Sequence, residues 1–136
     1  MSYEPDIQAL IHAAIQATEH AYIPYSHYPV GAALRAADGT VYTGCNIENA
    51  AYPATICGER TALVKAVSEG QRQFDVIAIA TKNAGTPCGM CRQMLFEFAP
   101  DLRVITVTLA GEVAHDLPLR ELLLHGFGPG DLPRPE

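Results

Sequence analysis

The chain has 136 residues, of which 49% are apolar, and its 9 Lys and Arg against 15 Asp and Glu residues give a net charge of −6. This length suits a single domain spanning residues 1–136, and the apolar content is too high for a disordered chain. The acidic balance disfavours binding to nucleic acid, which requires basic patches, and no run is long and apolar enough to span a membrane.

The first third of the chain predicts a helix followed by a hairpin. Apolar residues recur at helical spacing from residue 5 to about residue 22, which indicates an amphipathic helix that packs on the core. Strands are expected over residues 30–35 and 40–45, because the Asp38-Gly39 pair between them is typical of a hairpin turn.

The rest of the chain alternates helices with strands. The expected elements are a helix from Cys57 to about residue 69, a strand over residues 74–81, a helix from Cys88 to Phe98, strands over residues 104–109 and 111–117, and a short helix over residues 118–124. The tail from about residue 125 has too much Gly and Pro for regular structure. This order predicts an α/β fold with a mixed sheet, in which the two helices that begin at cysteines lie side by side on one face.

Two of the four cysteines form a Cys-x-x-Cys pair, Cys88 and Cys91. Pro87 precedes the pair and a helical apolar pattern follows it, so both sulfurs lie at or near a helix N-terminus, where the thiolate form is favoured. By itself this spacing fits either a zinc site or a redox dithiol.

A third cysteine, Cys57, also begins a predicted helix, and Glu59 follows two residues later. Three thiolates can then converge on one metal ion, and catalytic zinc typically has three protein ligands with a fourth position open for water. At that position Glu59 can reach such a water without binding the metal, which is an acid/base role.

These motifs resemble those of the zinc-dependent nucleobase deaminases, whose pattern is Cys-x-Glu followed by Pro-Cys-x-x-Cys. More narrowly, Cys-Gly-Glu-Arg-Thr-Ala from Cys57 and Asn-Ile-Glu-Asn-Ala from Asn46 are similar to motifs of the small homotetrameric cytidine deaminases with three-cysteine zinc sites. The resemblance runs from about residue 22 to residue 132. It implies the α/β/α sandwich of that family, a homotetramer, and one Zn²⁺ per subunit held by Cys57, Cys88 and Cys91.

The resemblance also implies a reaction, the hydrolytic deamination of cytidine and 2′-deoxycytidine to the uridine nucleosides and ammonia. Glu59 would take a proton from the activated water, pass it to N3 of the base and then protonate the departing amine. Zinc with three thiolates has a net charge of −1, so we expect Arg60 to restore positive character by donating to the sulfurs.

Five further residues are expected to contact the substrate on the same grounds. Asn46 and Glu48 match the motif that holds the ribose hydroxyls, and Ala54 lies in the segment whose backbone reads the base edge. Tyr28 stands where the family usually has a phenylalanine near the pyrimidine. Phe127 resembles the tail aromatic that reaches a neighbouring subunit's site.

Two alternatives remain open from the sequence. A related enzyme acting on another cytosine nucleoside, such as blasticidin S, would share the cysteine and glutamate motifs. A zinc-stabilised structural or interaction module would instead use Cys45 as a fourth ligand and leave Glu59 idle. The N-terminus has no basic region before an apolar core, and four cysteines without a secretory context are typical of thiols or metal ligands, so we expect a cytoplasmic protein.

Overall fold

A five-stranded β-sheet forms the centre of the protein in a computed structural model, which describes residues 3–133. The strands are β1 (Gly31–Ala36), β2 (Val41–Cys45), β3 (Phe74–Thr81), β4 (Arg103–Thr108) and β5 (Val113–Pro118). The helices are α1 (Pro5–Ala17), α2 (Gly58–Ser68) and α3 (Gly89–Phe98). The mixed sheet with helices matches the α/β fold predicted from the sequence.

The strands are arranged in the order β2-β1-β3-β4-β5. The β1-β2 hairpin turns at Gly39, whose φ of 93° is one that residues with a Cβ rarely adopt. β3 and β4 are parallel and are joined through α3, whereas the other neighbouring pairs are antiparallel. The sheet is therefore mixed, as the alternation of helices and strands predicted.

Side chains from the two faces of the sheet enter two separate apolar clusters. On β3, Ile77 and Ile79 pack in the cluster that contains residues of α2 and α3, while Val76 and Ala78 pack in the cluster that contains α1. Both faces are covered by helices, which explains why β3 is an almost unbroken apolar run rather than an alternating one.

Helix α1 covers one face through residues at helical spacing. Ile7, Leu10 and Ala14 are buried there, and full burial of a side chain such as Leu10 contributes about 2 kcal/mol. The helix passes close to β1, because a Cβ on Gly31 would lie 2.1 Å from the carbonyl oxygen of Ala14. A larger residue at position 31 would push α1 away from the sheet.

Helix α2 lies equally close to β2. A Cβ on Gly44 would lie 2.5 Å from the backbone nitrogen of Ala62 and 2.6 Å from the carbonyl oxygen of Gly58. The absence of a side chain at position 44 thus allows the first turns of α2 to lie close to the sheet. It thereby also sets the position of the residues at the start of the helix.

The prediction of a short helix over residues 118–124 is wrong. Pro118 ends β5, and only Leu119–Glu121 forms a single 3₁₀ turn. Leu119 is fully buried, and the Leu122 carbonyl accepts a hydrogen bond from Nη1 of Arg92 at 2.7 Å, so tertiary contacts set the conformation of this segment.

Strand β5 also begins later than predicted, at Val113 rather than at residue 111. Gly111 has a φ of 89° and belongs to the turn that connects β4 to β5. The other predicted strands agree with the structure to within one residue at each end. Helix α1 ends at Ala17 and continues as a 3₁₀ turn over Thr18–His20, close to the expected end.

Within residues 3–133, no helix is long and apolar enough to cross a membrane.

Candidate metal centre and substrate pocket

The start of two neighbouring helices brings three cysteines together. Cys57 is the N-cap residue of α2, Cys88 is the N-cap residue of α3, and Cys91 lies in the first turn of α3. The carbonyls of both N-cap residues accept the first backbone hydrogen bond of their helix, Cys57 from Thr61 and Cys88 from Arg92. The sulfurs therefore lie at the positive ends of two helix dipoles, which stabilise thiolates.

The spacing of the three sulfurs fits a tetrahedral zinc ion. The Sγ atoms of Cys57 and Cys88 are 3.8 Å apart, those of Cys88 and Cys91 are 3.3 Å apart, and all three lie within 4.8 Å of one another. Zn–S bonds of about 2.3 Å at tetrahedral angles place sulfurs about 3.8 Å apart. All three cysteines are free thiols, so the group can act as ligands.

The fourth cysteine does not join this group. Cys45 ends β2, is a free thiol, and burial raises its pKa. Among the residues that the structure describes, the cluster contains three sulfurs. A closed four-cysteine site, as a structural zinc module would require, is not what the fold assembles.

The carboxyl group of Glu59 lies beside the sulfurs. The residue is only 4% exposed, and its Oε1 atom is buried with no hydrogen-bond partner among residues 3–133. Burial raises the pKa of Glu59 to about 7. Because buried polar atoms are almost always paired, this oxygen points to a missing partner such as a water or a ligand.

Arg60 donates from Nη2 to the sulfur of Cys57 at 3.5 Å and to the carbonyl oxygen of Thr55 at 3.4 Å. Hydrogen bonding to Cys91, together with that to Arg60, lowers the pKa of Cys57 to about 5, while the pKa of Cys91 is raised. Arg60 thus lies beside Cys57, where a guanidinium can offset negative charge on thiolates, and its effect on the charge of the site stays a prediction.

Beside the cysteines and Glu59 is a pocket of about 400 Å³. Its lining includes six of the residues predicted from the sequence, namely Tyr28, Asn46, Glu48, Cys57, Glu59 and Cys88. A cavity of this size suits a small molecule such as a nucleoside.

The side chain of Asn46 is already used within the chain. Its Oδ1 accepts from the backbone N–H of Val30 at 2.9 Å, and its Nδ2 donates to the carbonyl oxygen of Tyr28 at 2.8 Å. Asn46 thus fixes the residues that lead into β1, and the second lone pair of its oxygen is left for a ligand.

Glu48 binds the same loop closer to its N-terminal end, at Tyr25 and Ser26. Its carboxylate accepts from the backbone N–H groups of Tyr25 at 3.0 Å and Ser26 at 3.1 Å, and from the Ser26 hydroxyl. Hydrogen bonding to Ser26 lowers the pKa of Glu48. The carboxylate is therefore oriented by the loop, and this positioning role could not be read from the motif.

Tyr28 differs from the phenylalanine usual in the family by a hydroxyl group that has a partner. The hydroxyl donates to Oδ1 of Asn83, in the loop that follows β3, and a Cβ on Gly85 would lie 3.4 Å from it. This hydrogen bond holds the Tyr28 ring against the loop that follows β3. Asn83 carried no sequence signal that could have identified it.

Two predicted substrate contacts do not lie in the pocket of this single chain. Ala54 is exposed at the end of a 3₁₀ turn over Tyr52–Ala54, and it is the next residue, Thr55, that lines the cavity. Phe127 is 55% exposed, and its carbonyl oxygen accepts from Nε2 of Gln93 at 2.8 Å.

Sequence reasoning missed several polar pocket residues, namely Ser26, Thr81 and Thr86. For Thr86, the only sequence feature that could have indicated a pocket position is that it directly precedes the Pro-Cys motif. The five histidines are exposed and do not line the pocket.

Comparison with known proteins gives a consistent result. The family model described as the cytidine and deoxycytidylate deaminase zinc-binding region matches residues 4–108. The chain is 50% identical over 132 residues to a cytidine deaminase of Halalkalibacterium halodurans, covering 93% of this chain and 98% of that protein. It is 46% identical over 130 residues to one of Sporosarcina psychrophila, covering 93% and 95%.

Among solved structures, that of a cytidine deaminase from Burkholderia pseudomallei is similar, with a TM-score of 0.84 and 42% identity, covering 93% of this chain and 100% of that one. The matched region includes all three clustered cysteines and Glu59. The chain belongs to the cytidine and deoxycytidylate deaminase family.

Proposed function

We propose that this protein catalyses the hydrolytic deamination of cytidine and 2′-deoxycytidine to uridine and 2′-deoxyuridine with release of ammonia, a reaction of pyrimidine salvage. The observation that carries the proposal is the convergence of three thiol sulfurs within 4.8 Å of one another beside a buried carboxyl oxygen of Glu59 that has no hydrogen-bond partner in the described part of the chain. The whole chain acts as one catalytic domain, and the expected cytoplasmic location remains a prediction.

Cys57, Cys88 and Cys91 hold one zinc ion per subunit. Three protein ligands is the number typical of catalytic rather than structural zinc sites. When bound, zinc supplies Lewis-acid activation of water at neutral pH. Arg60 and the N-termini of α2 and α3 offset the negative charge of three thiolates and so preserve that activation.

Glu59 carries the protons. Its carboxylate accepts one proton from the attacking water and delivers it to N3 of the base. It then accepts the second proton, from the hydroxyl group that has added to C4, and delivers it to the departing amine as the C4–N bond breaks. The burial of Glu59 suits this role, because a carboxyl group removed from solvent exchanges protons with the substrate rather than with bulk water.

The pocket orients a nucleoside through its polar residues. Asn46 and Glu48 supply acceptors for the ribose hydroxyls, Tyr28 forms an aromatic wall near the pyrimidine, and the backbone around Ala54 reads the base edge. Glu48 disfavours a phosphate by charge repulsion, so nucleotides are poor substrates.

Assembly completes the pocket. We propose a homotetramer in which Phe127 of one subunit lies over the site of a neighbour. Two features support an interface: an apolar groove between α2 and α3, lined by Leu63, Val67 and Phe98 among others, and the 55% exposure of Phe127.

The substrate is tested by following ammonia release and the ultraviolet change of the base with cytidine, 2′-deoxycytidine, cytosine, CMP and blasticidin S. We expect turnover of the two nucleosides and little turnover of CMP, for the charge reason given above. Glu59→Gln protein serves as the matched blank. If blasticidin S is turned over and cytidine is not, the protein has the related activity instead. Equal rates of turnover of CMP and cytidine would refute selectivity for nucleosides.

Glu59→Gln should lower kcat by at least about 100-fold, because an amide of the same shape cannot accept and return a proton. Zinc content, measured by atomic emission, should remain near that of the unsubstituted protein. A fully active variant with zinc bound would contradict the proton-carrying role.

Cys88→Ala should lose most of its zinc, since a site left with two thiolates no longer holds its geometry. Cys45→Ala is the matched control, because Cys45 lies outside the cluster and should retain zinc. Equal zinc loss in both variants would favour a four-cysteine structural site over the catalytic one.

Phe127→Ala should raise KM for cytidine by about tenfold while zinc stays bound, because the aromatic ring contributes to a neighbour's pocket. Val113→Ala, on the edge strand β5, is the control with an exposed apolar side chain elsewhere. Light scattering should report a tetramer. A fully active monomer would overturn both the assembly and the role of Phe127.

A further inference from the structure

The guanidinium of Arg92, the residue after Cys91, makes three hydrogen bonds. Its Nε donates to the carbonyl oxygen of Pro87 at 2.6 Å, its Nη2 to the hydroxyl oxygen of Thr86 at 2.9 Å, and its Nη1 to the carbonyl oxygen of Leu122 at 2.7 Å. Two of these acceptors immediately precede Cys88 in the chain, and the third lies 30 residues away in the C-terminal part.

The next residue of α3 reaches the same C-terminal part. Nε2 of Gln93 donates to the carbonyl oxygen of Phe127 at 2.8 Å. Consecutive side chains at the start of α3 therefore hold both ends of residues 122–127, which we call the C-terminal segment.

The C-terminal segment depends on such external bonds because it has little regular structure of its own. Its backbone bonds are local turns, from the N–H groups of Leu122 and Leu123 to Leu119 O and from Gly126 N–H to Leu123 O. His125 in its middle has a φ of 53°. Leu119, fully buried just before it, anchors one end, and the bonds from α3 supply the remaining attachment.

We propose that Arg92 is a positioning residue that couples the zinc-binding loop, Thr86 to Cys91, to the C-terminal segment. Its guanidinium fork holds Thr86 and Pro87 in the conformation that presents Cys88, and the same fork holds the backbone at Leu122. Order in the loop and order in the segment thus depend on each other, and a lysine, with a single ammonium group, cannot span the three acceptors.

The coupling is reciprocal. Zinc binding fixes the loop and so favours the bonded position of the C-terminal segment, and loosening of the segment weakens the hold on zinc to the same extent in free energy. This inference rests on the zinc site proposed above. Zinc stoichiometry of the unsubstituted protein tests that site separately, and none of the measurements below depends on turnover of cytidine.

Arg92→Lys tests the proposal in the intact zinc-loaded protein. Zinc release to a chromogenic chelator should be about tenfold faster than in the unsubstituted protein, in line with the effect of losing partners outside the ligand set. Hydrogen-deuterium exchange should rise in peptides covering residues 122–127 and stay unchanged in α1. Chelation of zinc from the unsubstituted protein should raise exchange in the same peptides.

Two controls separate coupling from general destabilisation. Arg120→Lys removes a guanidinium that pairs on the surface with Asp101 at 2.8 Å, and release should stay within about twofold because exposed ion pairs contribute little. Gln93→Leu removes the bond to Phe127 and should raise exchange at that end of the segment with a smaller change in release.

The proposal is overturned by either of two results. One is that Arg92→Lys releases zinc at the rate of Arg120→Lys. The other is that exchange of residues 122–127 does not respond to Arg92→Lys or to removal of zinc. Faster release accompanied by increased exchange throughout the chain, α1 included, would also overturn it, because Arg92 would then be a general stability determinant.

Discussion

The convergence of two helix N-termini is the constraint on which the rest of the site depends. β1 is antiparallel to both of its neighbours, so the C-terminal ends of β2 and β3 lie at the same edge of the sheet. α2 follows β2 and α3 follows β3, and both cover the same face. Each helix therefore begins at that end of the strands. The strand directions alone thus bring together the cysteines at the two helix starts.

The same geometry explains the electrostatics of the site. Three thiolates and a carboxylate in one small region would repel each other strongly, yet the dipoles of α2 and α3 and the guanidinium of Arg60 supply positive charge where the sulfurs lie. Glu59 receives no such bond at Oε1 and is buried, so its pKa rises whereas that of Cys57 falls. The pKa values of Cys57 and Glu59 thus move in opposite directions, and Cys91, in the same cluster, shares the raised pKa of Glu59.

Much of this arrangement could be predicted from the sequence because its signals are local. The cysteine spacings, the Asp38-Gly39 turn and the apolar run of β3 each reflect the chemistry of adjacent residues. The segment over residues 118–124 could not be predicted, since its leucines satisfy a helical pattern while burial of Leu119 and the bond from Arg92 to the Leu122 carbonyl decide its conformation. Tertiary contacts of this kind leave no periodic trace.

Asn46 and Glu48, predicted as substrate contacts, also make hydrogen bonds within the chain that their motif did not predict. Both side chains bond the backbone of the loop that carries Tyr28, and the Tyr28 hydroxyl in turn bonds Asn83 beyond β3. Substitution of Glu48 would therefore remove the proposed ribose acceptor and also the hydrogen bonds to Tyr25 and Ser26, so a rise in KM would combine two effects. Tyr28→Phe tests a different part of the pocket, because it retains the aromatic ring and the bonds of Glu48 and removes only the hydrogen bond to Asn83. The pocket is thus shaped by hydrogen bonds between its own walls before a substrate arrives, which lowers the entropy lost when the substrate is bound.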